Sequence, residues 1–248
     1  MNQPDDMFAK IKPKRISDEI YSQIKELILA GKLQPGQKLP PERELAANMG
    51  VSRPSLREAI HRLEAQGFVS HIQGSGTYVS SMTENAMGAA IDEYFKRGES
   101  IFDVVEMRKV LETWAARIAA ERATDEEIVQ MEEYLEEMRV ACEQMQVGHE
   151  PDANFHSTIS YATHNVLFVH VMNTIHQWVE QVSYEVRSRM FQDPEHHTML
   201  YRQHKAIFEA IRDRNVDGAG MAMLEHMKYI EEQTRQIFAD KLSRSASS

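Results

Sequence analysis

Cysteine is almost missing from this chain: Cys142 stands alone among 248 residues. That excludes an internal disulfide and every thiolate zinc motif, and it fits a reducing compartment such as the cytoplasm. Glycine (11), proline (8) and tryptophan (2) are sparse too, and from Thr83 to Leu242 nothing alternates as a strand would. Long apolar runs are also wanting. His164 to Val179 carries no Asp, Glu, Lys or Arg, but its three histidines make it too polar, and its length too short, for a bilayer span. The opening MNQPDDMFAKIKPKR lacks the apolar centre of a signal peptide. These absences lead us to expect a cytoplasmic protein without a membrane segment.

What is present supports folded cores, since apolar residues make up 42% of the chain. Net charge is −10 but unevenly spread. From Lys10 to Ser80, Lys and Arg number 11 against 7 Asp and Glu, a balance of +4. From Ser81 to Ser248 the counts are 17 and 29, a balance of −12. A basic first third joined to an acidic remainder predicts two domains with different partners. We place them at 10–80 and 85–242, with a linker at 81–84.

The first 80 residues alternate helix and turn signals. Ser17 is placed to cap a helix with the apolar stripe Ile20, Ile24, Leu27 and Ile28, ending near Gly31. Pro41 suits the first turn of a second helix carrying Leu45, Ala46 and Met49, which Gly50 stops. Ser52 can cap a third, with Leu56, Ala59, Ile60 and Leu63 at i, i+3, i+4 and i+7. The period then changes, and FVSHIQGSGTYVS reads as a hairpin around Gly74-Ser75-Gly76. Beyond it, segments near 84–97, 101–122, 125–146, 151–164, 166–190, 194–213 and 216–241 read as helices. The fold class is mostly α: a winged helix-turn-helix joined to an all-α helical bundle.

Three helices and a hairpin are the parts of a DNA reader. Arg53 and Arg57, four residues apart, sit where a recognition helix enters the major groove. Arg reaches O6 and N7 of guanine with two hydrogen bonds, a geometry that Lys does not reproduce. Arg43 on the second helix suits a base or a phosphate. Gly74 and Gly76 let a wing tip approach the sugar-phosphate backbone closely. The competing reading is a solvated surface, with Arg57 paired to a Glu.

The stretch LQPGQKLPPERELAANMGVSRPSLREAIHRLEAQGFVSHIQGSGTYV resembles the DNA-binding domain of GntR-family bacterial transcription regulators, FadR subfamily. The resemblance implies DNA contacts from Arg43, Arg53 and Arg57, with Ser52 near the phosphates and Gly74 at the wing tip. The acyl-CoA-responsive member has a wing histidine where this chain has Gln73, so the resemblance does not carry that base contact over to Gln73.

The acidic part carries a second pattern. Asp152 and His156 are four residues apart on one helical face. His204 aligns with Leu200, Ile207, Phe208 and Ile211, and His226 with Met223, Met227 and Ile230, so both point inward. Each lies 11 residues from Asn215, the expected turn of an antiparallel helix pair, which sets the two imidazoles level. One carboxylate and three imidazoles from three helices form a ligand set for a divalent transition metal: zinc first, nickel or manganese as alternatives. His149, His164, His170, His176, His196 and His197 are read as structural or solvated.

The pieces DANFH, RQHKAIFEAI and MLEHM are similar to the all-helical FCD (FadR C-terminal) domain. The resemblance implies a metal held by Asp152, His156, His204 and His226, whose open positions take a small carboxylate. Acyl-CoA-binding members lack these ligands. It also implies that Arg108 lies near the effector cavity, with a local pair to Glu112 as the competing reading. Similarity to lactate-responsive and pyruvate dehydrogenase operon regulators implies a lactate- or pyruvate-like effector.

Three function classes follow. The expected one is a homodimeric transcription regulator, a repressor, that binds a short palindromic double-stranded DNA operator and is controlled by a carboxylate. A metal-dependent enzyme with a DNA-binding appendage would need a general base, and none is evident, since Glu225 points away from its neighbour His226. A purely structural metal is the third.

Overall fold

The computed structural model describes residues 15–81, 100–144, 149–182 and 194–245. They fall in two compact units, Met1–Ser80 and Ser81–Ser248. The expected helix at 84–97 and the linker residues 82–84 lie outside the described residues, as do 145–146 and 183–190 of two longer expected helices.

In the first unit, α1 (Ile16–Leu29), α2 (Glu42–Asn48) and α3 (Arg53–Ala65) precede strands β1 (Val69–Ile72) and β2 (Gly76–Val79). Ile20, Ile24 and Ile28 of α1 pack with Leu56, Ala59, Ile60 and Leu63 of α3 into one buried cluster, closed by Leu39, Ala46, Val69 and Val79. Each such large apolar side chain contributes about 1.5–3 kcal/mol by leaving water. Ser17 does not cap α1. The helix starts two residues earlier, on the carbonyl of Arg15, which accepts from the Asp18 and Glu19 amides. That leaves Ser17 buried in the first turn. Ser52 does cap α3, accepting from the Ser55 amide with Pro54 in the first turn.

β1 and β2 pair antiparallel with Val69 opposite Val79 and Ile72 opposite Gly76. The segment Leu33–Leu39 adds an edge to this hairpin through a bridge between Lys38 and Tyr78 and a bond from the Leu39 amide to the Thr77 carbonyl. At the tip, Gly74 has φ +79°, in the left-handed region that favours glycine.

The second unit holds α4 (Ser100–Arg122), α5 (Asp125–Glu143), α6 (His149–Tyr161), α7 (Val166–Val182), α8 (Pro194–Arg212) and α9 (Val216–Ser245). α4 packs against α6, α7, α8 and α9. Its Ala115, Ala116, Ala119 and Ala120 are fully buried, and their small side chains let neighbouring backbones approach from several sides. Thr124 and Glu127 form a reciprocal capping box at the start of α5. Arg214, at φ +57°, turns the chain between α8 and α9, and Asn215 then accepts from the Gly218 amide to begin α9. The uncharged stretch is longer than His164–Val179, for it begins at Ala153. It is divided between α6 and α7, and no helix among the described residues is long and apolar enough to cross a membrane.

Candidate functional site

α3 turns its buried stripe to the core and leaves Ser52, Arg53 and Arg57 exposed at its amino-terminal end. Arg43 and Gly74 are exposed as well. Arg53 projects from the first residue of α3. The Arg57 Nε donates to Glu42 Oε2 at 2.8 Å, so the pairing weighed against DNA contact is present, across to α2. Both side chains keep contact with solvent, and pairs of that kind are worth little and break readily.

The second unit brings the three predicted histidines together from three helices. His156 comes from α6, His204 from α8 and His226 from α9, and their ligand nitrogens lie within 4.8 Å of one another. His156 Nε2 is 3.2 Å from His204 Nε2, and the His204 and His226 ring centres are 4.5 Å apart. All three residues are buried. Asp152 joins the group at His204, its Oδ1 lying 3.0 Å from His204 Nε2, and its side chain is 29% exposed.

The outer nitrogens decide the chemistry. His204 Nδ1 lies 2.8 Å from the Leu200 carbonyl, which can only accept, so this nitrogen carries a proton, and the neutral ring then has its Nε2 lone pair for an ion shared with Asp152. His226 Nδ1 faces Gln203 Oε1 at 3.0 Å, with the same result. His156 Nδ1 sits 2.5 Å from Glu112 Oε2 in an ion-pair contact, and among the described residues neither of these buried atoms has a hydrogen-bond partner of regular geometry. Three imidazole rings and the Asp152 carboxylate thus converge, with His204 Nε2 within reach of both His156 Nε2 and Asp152 Oδ1. Such a donor set repels itself unless a cation is shared, and it fits a divalent transition metal.

The charges agree with that arrangement. Burial pushes the His226 imidazole well below its usual range, helped by His204 and His156, and so keeps it neutral. Burial opposes ionisation of Asp152, but His204 outweighs it and holds the carboxyl low. Burial likewise opposes charge on Glu112, yet Arg108 and His156 hold it well below the carboxylate range. His156 is lowered by burial and raised more by Glu112, leaving it above its ordinary value.

Glu112 is the residue that sequence reasoning left out of the site. It is 2% exposed and takes Arg108 Nε on Oε1 at 2.6 Å while facing His156 through Oε2. Arg108 therefore holds the local pair that competed with effector binding, with its own side chain 11% exposed. His176, read as structural or solvated, has Nε2 3.7 Å from Glu112 Oε1, while its Nδ1 lies 3.4 Å from Ser157 Oγ. A signal was available: Ala115, Ala116 and Ala119 follow Glu112 at i+3, i+4 and i+7, on the buried stripe of α4.

Comparison with known proteins identifies both units. Residues 16–79 match the family described as bacterial regulatory proteins, gntR family, and residues 103–229 match the FCD domain. The "Putative L-lactate dehydrogenase operon regulatory protein" of Escherichia coli (strain K12) is 31% identical over 238 residues, covering 92% of this chain and 90% of that protein. The HTH-type transcriptional regulator LutR of Bacillus subtilis (strain 168) is 30% identical over 218 residues, 87% of this chain and all of LutR. Among solved structures, Streptococcus agalactiae GntR superposes with a TM-score of 0.54 at 27% identity, covering 88% of this chain and 100% of that one.

Proposed function

Because this chain belongs to the GntR family of bacterial transcription regulators and carries an FCD domain, we propose that it is a metal-loaded, carboxylate-controlled repressor. Residues 10–80 bind DNA and residues 85–242 bind the effector and dimerise. The chain is a regulator by family, and the enzyme reading is set aside.

Two copies place their α3 helices in successive major grooves of a short palindromic operator. Arg53 and Arg57 read base edges, Arg43 contacts a base or a phosphate, Ser52 contacts the phosphates and Gly74 brings the wing tip to the backbone. Affinity falls with salt as phosphate counterions return. A protein that acts on chromosomal DNA works in the cytoplasm.

Asp152, His156, His204 and His226 hold the metal. Zinc is the expected ion, since three nitrogens and one oxygen suit it; nickel or manganese are alternatives. When bound, the ion supplies Lewis-acid positions for an anionic oxygen. Arg108 takes the effector's carboxylate in a charge-assisted hydrogen bond. The effector is a lactate- or pyruvate-like acid, a choice supported by likeness to the L-lactate dehydrogenase operon protein. It releases DNA by favouring the arrangement that does not bind the operator.

The observation that carries the sensor reading is the convergence of three imidazole Nε2 atoms whose outer nitrogens are held by Glu112, Leu200 and Gln203. Metal content of the purified full-length protein tests it: one divalent transition ion per chain is expected, and loss of the ion in His204→Ala. A protein that takes up no such ion when zinc is supplied contradicts it.

A further inference from the structure

A histidine binds a metal through one ring nitrogen, and what the other nitrogen touches selects the tautomer and aims the ring. For His204 and His226 that partner lies on α8: the Leu200 carbonyl and the Gln203 side chain. For His156 it is a buried carboxylate on α4, 44 positions earlier in the chain. Glu112 in turn is fixed from its other oxygen by Arg108.

We infer that Glu112 is a positioning residue for the metal site: it holds the proton on His156 Nδ1 and so turns the bare Nε2 toward His204 and His226. The inference rests on the metal-binding reading of the three histidines. It also links the two halves of the proposed sensor, because Arg108 and His156 meet on the two oxygens of one carboxylate. An anion that draws Arg108 away leaves Glu112 to His156 alone.

Isosteric replacement by glutamine makes this testable. In Glu112→Gln, Arg108 Nε can donate only to the amide oxygen, which leaves the amide N–H2 group facing His156 Nδ1. That group donates, so Nδ1 becomes the acceptor and the ring proton moves to Nε2, where it blocks coordination. Ring nitrogen shifts read by NMR on metal-free, full-length protein at alkaline pH report the tautomer. Zinc affinity, by competition against a chromophoric chelator, reports the consequence.

The expected result is a His156 Nδ1–H tautomer in the wild type, an Nε2–H tautomer in Glu112→Gln, and zinc affinity lower by about 10- to 100-fold. Glu112→Asp, which keeps a carboxylate, should recover most of that affinity. An unchanged tautomer, or zinc bound as tightly by Glu112→Gln as by the wild type, would overturn the inference. Should the wild type bind no zinc, the metal-binding reading fails, while the tautomer measurement still decides the role of Glu112.

Discussion

His204 is the ligand whose removal the site should tolerate least, because it touches all the others. Its Nε2 is 3.2 Å from that of His156 and 3.0 Å from Asp152, and its ring is centred 4.5 Å from that of His226. An ion held there ties α6, α8 and α9 together, so binding stabilises the folded second unit. At a free zinc concentration of about 100 times Kd, linkage adds about 2.7 kcal/mol. For a unit of this size each kcal/mol raises the melting temperature by about 2–4 °C, which gives a shift of about 5–11 °C. If His204→Ala weakens binding 100-fold, the same zinc concentration only equals Kd, the gain falls to about 0.4 kcal/mol and the shift to about 1–2 °C. The comparison is made within each protein, with and without zinc, so the cavity left by the missing imidazole cancels. Intrinsic fluorescence suits the assay because both tryptophans, Trp114 and Trp178, belong to the second unit. A His204→Ala protein that gains as many degrees from zinc as the wild type would refute the reasoning.

The zinc-dependent shift should also depend on pH, since the ion must displace protons. His156 is raised above its ordinary value by Glu112, so its proton competes first as acidity increases. The shift is therefore full at alkaline pH, begins to shrink above the usual imidazole value of about 6.5, and is lost below it; a shift that grows on acidification would contradict this. In the head, Arg53→Ala and Arg57→Ala should each cost about 1–3 kcal/mol in operator affinity and relax discrimination at one base pair, read by fluorescence anisotropy on operator variants. Loss spread evenly over all sequences would assign those arginines to phosphates instead. Leu56→Ala removes a fully buried side chain between α1 and α3, and should lower the stability of the head by about 2–5 kcal/mol in urea unfolding.

Legibility differed between the two halves of the site for a physical reason. The inward faces of His204 and His226 follow from helical period, and their level placement from equal distance to Asn215, so one helix hairpin contains the information. α3 was readable in the same way, because Ser52, Pro54, Leu56, Ala59, Ile60 and Leu63 are all local signals. Glu112 was not, because its contact to His156 joins separate helices, and at i+4 from Arg108 it resembles any surface ion pair. His176 was missed on the same grounds, being 64 positions from the carboxylate it approaches. The start of α1 was misplaced by two residues, since a serine before an apolar stripe signals a cap only if the chain has not already begun to turn.

The central claim is that a small carboxylate at the histidine site controls DNA binding by the head. Its most direct test is one titration: L-lactate added to zinc-loaded protein bound to a fluorescent duplex from upstream of its own gene, followed by anisotropy. Pyruvate is run in parallel, and Arg108→Gln protein serves as the control. The account predicts saturable release of DNA from the wild type by one of the two acids, and weaker release from Arg108→Gln. A complex that forms specifically but ignores both acids would contradict it.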